Sequence, residues 1–391
     1  MTNAIERISP AELGNRLRVS RVRADLTQGQ AANAIGLART TLIAIEKGER
    51  RIRRDELINL ASLYRASLNE LLRDHSVHVD LEARFRALPA TRRTRAEAAV
   101  NVLNALAAAE VELEQLLGRV QPRIYPPVRP IGPGDVDQQA EDAALEFRHR
   151  LGRGLSPIKD LIPLLESELS IRIFIRPLPH GPISGLFAYD EAIGACILLN
   201  ENHPPERRLQ SAAHETGHFV STRHQPDIDS QELDTNSREE RFAKQFGYSL
   251  LMPAQAIRTS FSDFVRDHGR FSPRHLVVMS HRFGVTTEAC CRRLEDLQLL
   301  PQRTWESLKD RGFSGEFARR LLHDAAGDKE NGIAHITPRL WLLTAEAYER
   351  ELVSEEQLAR MLQLNRIEVR RVLDTLDVEG IDDLQSVKTD V

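Results

Sequence analysis

Residues 205–221 read PERRLQSAAHETGHFVS, a stretch that ends in the pentad His214-Glu215-Thr216-Gly217-His218 and three further residues. Pro205 suits the first position of a helix, and Leu209, Ala212, Ala213, Phe219 and Val220 recur at helical spacing. A core helix is expected here. On it His214 and His218 stand one turn apart on the same face, at about 6 Å, so both imidazoles reach one divalent ion at ~2.1 Å. Glu215 is expected beside the remaining coordination position. The bland alternative is a pair of surface histidines, and the apolar remainder of the helix argues against it.

An ion held by two histidines needs a third protein donor, and the sequence offers two. His224 completes a spacing of the form HExxHxxGxxH, except that Ser221 stands where the turn-forming glycine belongs. Without a ready left-handed residue the chain has no simple way to swing His224 back. Glu240 lies at the start of EERFAKQFGYSLLMP (239–253) and would add a carboxylate from the following helix, giving a His₂Glu donor set. Zinc in such a set lowers the pKa of its water to about 7, and Glu215 can take the proton as a peptide carbonyl is attacked. Tyr248 and His224 are candidates for stabilising the oxyanion.

The HExxH helix followed by E-x-x-A-x-x-F-x-x-x-L-L-M-P, with Glu240, Ala243, Phe246 and Leu250-Leu251-Met252-Pro253 in register, resembles the ImmA/IrrE family of metallopeptidases. CILLN (196–200) upstream and LVVMSHRFGVTTEACCRRLEDLQLL (276–300) downstream resemble the same family. The resemblance implies an α+β zincin-like domain over 136–300. It also implies Zn²⁺ on His214, His218 and Glu240, with Mn²⁺ as the alternative ion, and Glu215 as general base. Lys244 departs from an Asn common in that family. Relatives cleave repressor-type proteins after DNA damage or stress, so the implied substrate is such a repressor, either the chain itself or a partner.

A second constellation lies at the other end. In residues 17–72, Thr27 is placed to cap a short helix from Gln28, Gly36 supplies a turn, and Ala38 to Ile45 form a second helix with Leu42 and Ile45 inward. That is helix-turn-helix spacing. Arg39, Thr40, Thr41 and Ala44 remain on the outer surface for base edges; Gln28, Lys47, Arg50, Arg51, Arg53 and Arg54 are placed for phosphates. Residues 1–72 carry 12 Lys and Arg against 8 Asp and Glu, in a chain whose net charge is −4. Leu26-Thr27-Gln28, Ala31-Ala32, Gly36 and the run from Leu42 through Ile45-Glu46 to Gly48 resemble the Xre family of repressor-like domains. The resemblance implies an all-α domain over 11–74 that binds a double-stranded DNA operator.

The 391 residues are 41% hydrophobic and 28% charged, enough for two or three packed domains. Three cysteines, an odd number, fit reduced thiols better than a disulfide framework, and the Cys290-Cys291 pair reads as buried. MTNAIERISPAELGNRLR has no apolar leader, and no run reaches the ~18 apolar residues of a membrane helix, so a cytoplasmic protein without membrane partners is expected. QPRIYPPVRPIGPG (121–134) has five Pro and two Gly and reads as a hinge closing a linker region over 75–135. Within it, a helix at 92–118 spaces Val102, Leu106, Ala109, Leu113 and Leu116 as a seam, for a homodimer or for its own protein. The acidic run PDIDSQELD (226–234) reads as a solvated loop. Residues 301–391 read as a separate helical domain, with a helix-turn-helix-like rhythm following Ser354. The whole is a multidomain DNA-binding regulator carrying a metallopeptidase. Two alternatives stand beside it: a non-proteolytic transcription factor using the zincin fold as sensor or scaffold, and a toxin–antitoxin component.

Overall fold

A computed structural model describes residues 8–64, 66, 71–72, 81, 85, 90–119, 122–178, 183–230, 237–313 and 336–374. The chain divides into two compact units, Met1–His78 and Val79–Val391.

In the first unit, α1 (Pro10–Arg23), α2 (Gln28–Ala34), α3 (Arg39–Glu46) and α4 (Arg54–Tyr64) close around Leu17, Ala31, Ala32, Leu42, Ile45, Leu57 and Leu60. Thr27 caps α2 reciprocally: its hydroxyl accepts from the Gln30 N–H at 3.3 Å, and the Gln30 side chain accepts from the Thr27 N–H at 2.9 Å. Ala31 and Ala32 are fully buried, small enough for α2 to pack directly on its neighbours.

In the second unit a four-stranded sheet has the order β1-β3-β2-β4, with β1 (Arg172–Arg176), β2 (Ile183–Asp190), β3 (Gly194–Asn200) and β4 (Asp227–Ser230). β1 runs parallel to β3, while β2 is antiparallel to both β3 and β4. Alternation along the strands divides the core into two layers. Ile173, Phe187, Ala195, Ile197 and Leu199 face one layer. It contains α6 (Val136–Arg150), α7 (Leu161–Leu169), α8 (Pro205–Ser221), α9 (Arg238–Leu251), α10 (Ala254–His268), α11 (Pro273–Phe283), α12 (Thr287–Asp296) and α13 (Thr304–Asp310). Phe174, Leu186, Ala188, Cys196 and Leu198 face the other, covered by α5 (Ala90–Leu116), α14 (Pro338–Glu349), α15 (Glu355–Met361) and α16 (Arg366–Asp374).

Four expectations change. Of the α5 seam, Leu106, Ala109 and Leu113 are buried within the chain, Leu106 and Leu113 in the core shared with the sheet and α14, so of the two expected uses the seam serves its own protein. The C-terminal helices are not a separate domain; they form the second cover of the sheet, with Leu358, Leu362 and Val369 buried there. The Pro-rich segment is not a hinge. Proline removes donors and forbids helix, but the extended chain keeps its carbonyls as acceptors. Arg223 donates to the Pro126 carbonyl at 2.7 Å and Arg238 to that of Gly132 at 2.6 Å, while the Arg129 N–H donates to Val220 at 2.8 Å. Finally, Asp227–Ser230 of the acidic run is the edge strand β4, paired antiparallel with β2; residues 231–236 lie outside the described residues.

Between α5, β1 and α14 lies a buried ionic cluster. Arg339 pairs with Glu110 at 3.0 Å and also with Glu114; Arg172 pairs with Glu114 too. All three cysteines are buried and free. Among the described residues no helix is long and apolar enough to cross a membrane.

Candidate functional site

Helix α8 lies between the sheet and α9. Phe219 meets Phe187 of β2 edge to face with ring centroids 6.4 Å apart, which turns one side of α8 to the sheet. On the other side α8 and α9 almost touch. A Cβ on Gly217 would stand 2.7 Å from the Ala243 Cα, and one on Gly247 would stand 3.1 Å from the backbone nitrogen of His214. Ser237 caps α9 by accepting from the Glu240 N–H at 3.1 Å, which sets Glu240 in the first helical turn.

That crossing brings three donors together. His214 Nε2 lies 3.2 Å from His218 Nε2 and 3.4 Å from Glu240 Oε2; His218 Nε2 lies 3.9 Å from Glu240 Oε1. These three residues form a group able to hold a metal ion, with one ligand atom from each lying within 4.8 Å of the others. The spacing fits one ion, since donors at ~2.1 Å in a tetrahedron lie about 3.4 Å apart. The chemistry of the set also fits. Burial, helped by the neighbouring His214, pushes the His218 imidazole down to about 3, so its neutral form presents a lone pair. His218 is 3% exposed, while the side chains of His214 and Glu240 are 15% and 14% exposed, so the group opens to solvent on their side. Glu215 is wholly buried, with its carboxylate against β2 where Gly185 leaves room; a Cβ there would be 2.8 Å from Glu215 Oε1.

Two other sequence candidates are His224 and Tyr248. His224 stands edge to face with Tyr189, ring centroids 5.1 Å apart, and is not one of the three grouped donors. Burial pushes the Tyr248 hydroxyl up to about 12. Sequence reading passed over Gly185, Gly217 and Gly247, although glycines inside helical and strand patterns already signal close approach.

In the first unit Arg39 and Thr40 are exposed at the start of α3, Thr41 is half-buried and Lys47 is exposed. Two expected phosphate contacts are engaged within the fold instead. Gln28 Nε2 donates to Glu46 Oε2 at 2.8 Å, joining Arg21, whose Nε donates to Glu46 Oε1 at 2.6 Å. Arg50 makes a two-pronged pair with Glu56 at 3.0 and 2.9 Å. In both cases a buried carboxylate claims the nearest donors.

Residues 166–295 match a peptidase family model described as the IrrE N-terminal-like domain, and residues 12–73 match a helix-turn-helix domain model. The chain joins a helix-turn-helix domain to an IrrE N-terminal-like domain. The cryptic phage CTXphi transcriptional repressor RstR of Vibrio cholerae is 33% identical over 66 residues, 17% of this chain. The chain spans 60% of the length of that repressor. The IrrE-like match begins in α7 and ends in α12, and so contains β1 to β4 and both helices that carry the donor group.

Proposed function

We propose that the chain is a DNA-binding transcriptional regulator whose IrrE-like domain is a zinc-dependent endopeptidase acting on a repressor-type protein, itself or a partner, in a stress or DNA-damage response. The observation that carries this reading is the convergence of His214 Nε2, His218 Nε2 and Glu240 on one point, on the helix that also carries the buried Glu215. His214, His218 and Glu240 would hold the ion. When bound, it supplies Lewis acidity for attack of water on a peptide carbonyl. Glu215 accepts the proton of the attacking water on its carboxylate and returns it to the leaving nitrogen, and exclusion of solvent around it favours that exchange. Arg39, Thr40 and Thr41 read base edges, and Lys47 meets phosphate. The helix-turn-helix match and the similarity to a phage repressor support the DNA-binding half.

The test is a coexpressed helix-turn-helix repressor followed by intact-mass analysis, with zinc content measured in parallel. Wild type should yield a discrete cleavage, Glu215→Gln should abolish it while keeping zinc, and Glu240→Gln should lose both. Cleavage that persists unchanged in Glu215→Gln would remove the endopeptidase reading.

A further inference from the structure

We infer that Thr222 is a positioning residue of the metal centre, fixing the tautomer and ring plane of His218; the inference rests on the metal-centre reading above. α8 ends at Ser221, and Thr222 is its C-cap, with its N–H donating to the His218 carbonyl at 2.8 Å. Its hydroxyl lies 3.4 Å from that same carbonyl and 3.4 Å from His218 Nδ1. One geometry satisfies both contacts: the hydroxyl hydrogen goes to the carbonyl, and the oxygen lone pair receives the proton on Nδ1. Two nearby hydroxyls of this helix are occupied differently. Thr216 and Ser221 each donate only to the carbonyl one turn back, at 2.7 and 2.8 Å.

With the proton held on Nδ1, the lone pair of His218 lies on Nε2, the atom 3.2 Å from His214 Nε2 and 3.9 Å from Glu240 Oε1. The ring of a metal-binding histidine is commonly oriented through its other nitrogen, and loss of that partner weakens metal binding 10–100-fold. A neutral hydroxyl at 3.4 Å belongs at the lower end of that range.

The experiment measures Zn²⁺ affinity of the full chain by chelator competition, with Co²⁺ absorption as a second readout, in wild type, Thr222→Val and Thr222→Ser. Thr222→Val keeps the branched shape and removes the acceptor; Thr222→Ser keeps the acceptor. Expected are about tenfold weaker Zn²⁺ binding and an altered Co²⁺ spectrum for Val, and affinity within about twofold of wild type for Ser, with metal-free melting curves unchanged. Equal affinity of wild type and Thr222→Val overturns the assignment, as does a Ser variant as weak as Val, which would make the effect one of helix-end packing. If wild type itself binds neither ion, the metal-centre reading has failed and takes this assignment with it; the wild-type titration alone separates the two failures.

Discussion

A methyl group on Gly217 would sit 2.7 Å from the Cα of Ala243 and 3.0 Å from its carbonyl oxygen, both backbone atoms. No flexible side chain can yield there, so any larger residue must push α8 and α9 apart. Glu240 belongs to α9 and the two histidines to α8, so the same displacement spreads the donors. Gly217→Ala is expected to cost about 1–3 kcal/mol by overpacking and to weaken Zn²⁺ binding by at least about tenfold through the misplaced third ligand. Denaturant melts of the metal-free chain and a Zn²⁺ titration check the two effects separately. A Gly217→Ala chain that binds zinc as wild type does would show that the helix crossing does not set the site.

Gly185 stands in the same relation to Glu215. A methyl there would press on Oε1 at 2.8 Å, and here the neighbouring group is a side chain able to move. Gly185→Ala is therefore expected to leave the three donors and zinc content intact while rotating the carboxylate away. Misplacement by about 1 Å typically costs ~100-fold in rate. Cleavage of the coexpressed repressor, compared at equal zinc occupancy, reads the effect; undiminished cleavage would mean that Glu215 keeps its position by other contacts.

The helix that carries His214 and His218 and the helix-turn-helix were legible because their information is local. The pairing of His214 with His218, and the Thr27–Gln30 cap, depend only on helical period and near neighbours. The second cover of the sheet was not legible, because the cluster that buries Leu106 includes Leu343 and Leu358, more than 200 residues away. Periodicity shows that a helix has an apolar face but not what covers it. The Pro-rich segment was misread for a related reason. Composition excludes helix and ladder, yet nothing local reveals that Arg223 and Arg238 will bind its carbonyls. Gln28 and Arg50 were assigned to phosphates from their charge or polarity and position, while their buried partners Glu46 and Glu56 were visible only in three dimensions.

That correction separates two residues that look alike in sequence. Arg50 pairs with Glu56, whose side chain is 8% exposed, so Arg50→Ala leaves a largely buried carboxylate without its guanidinium. It is expected to destabilise the first unit by about 1–2 kcal/mol and to leave the salt dependence of DNA binding nearly unchanged. Lys47, 63% exposed on its side chain, should do the reverse. Lys47→Ala is expected to leave stability alone and to reduce the slope of log K against log salt by about 0.9, one phosphate contact. Operator titrations at several salt concentrations, alongside melting curves, decide the matter. A reduced slope for Arg50→Ala would return it to the interface.

The last expectation concerns pH. Glu166 of α7 is 3% exposed, and burial, reinforced by the nearby Glu110 carboxylate, pushes its carboxyl from 4.5 up to about 8. A raised carboxyl binds its proton more tightly in the folded chain than in the unfolded one. Its contribution to stability is therefore complete below the ordinary carboxylate range and is lost as pH rises through about 8. Across that window wild type should become steadily less stable. Glu166→Gln mimics the protonated form at nearly the same volume, so the variant should lack this slope and exceed wild type most clearly at the alkaline end. Burial also raises the carboxyl of the neighbouring Glu110, which both chains carry, so the comparison of the two proteins isolates the change at position 166. Melting temperature is the measurement, taken for both proteins in steps from acidic to alkaline buffer. Parallel curves would show that Glu166 is already ionised in the folded state, held so by Arg339 and Thr337.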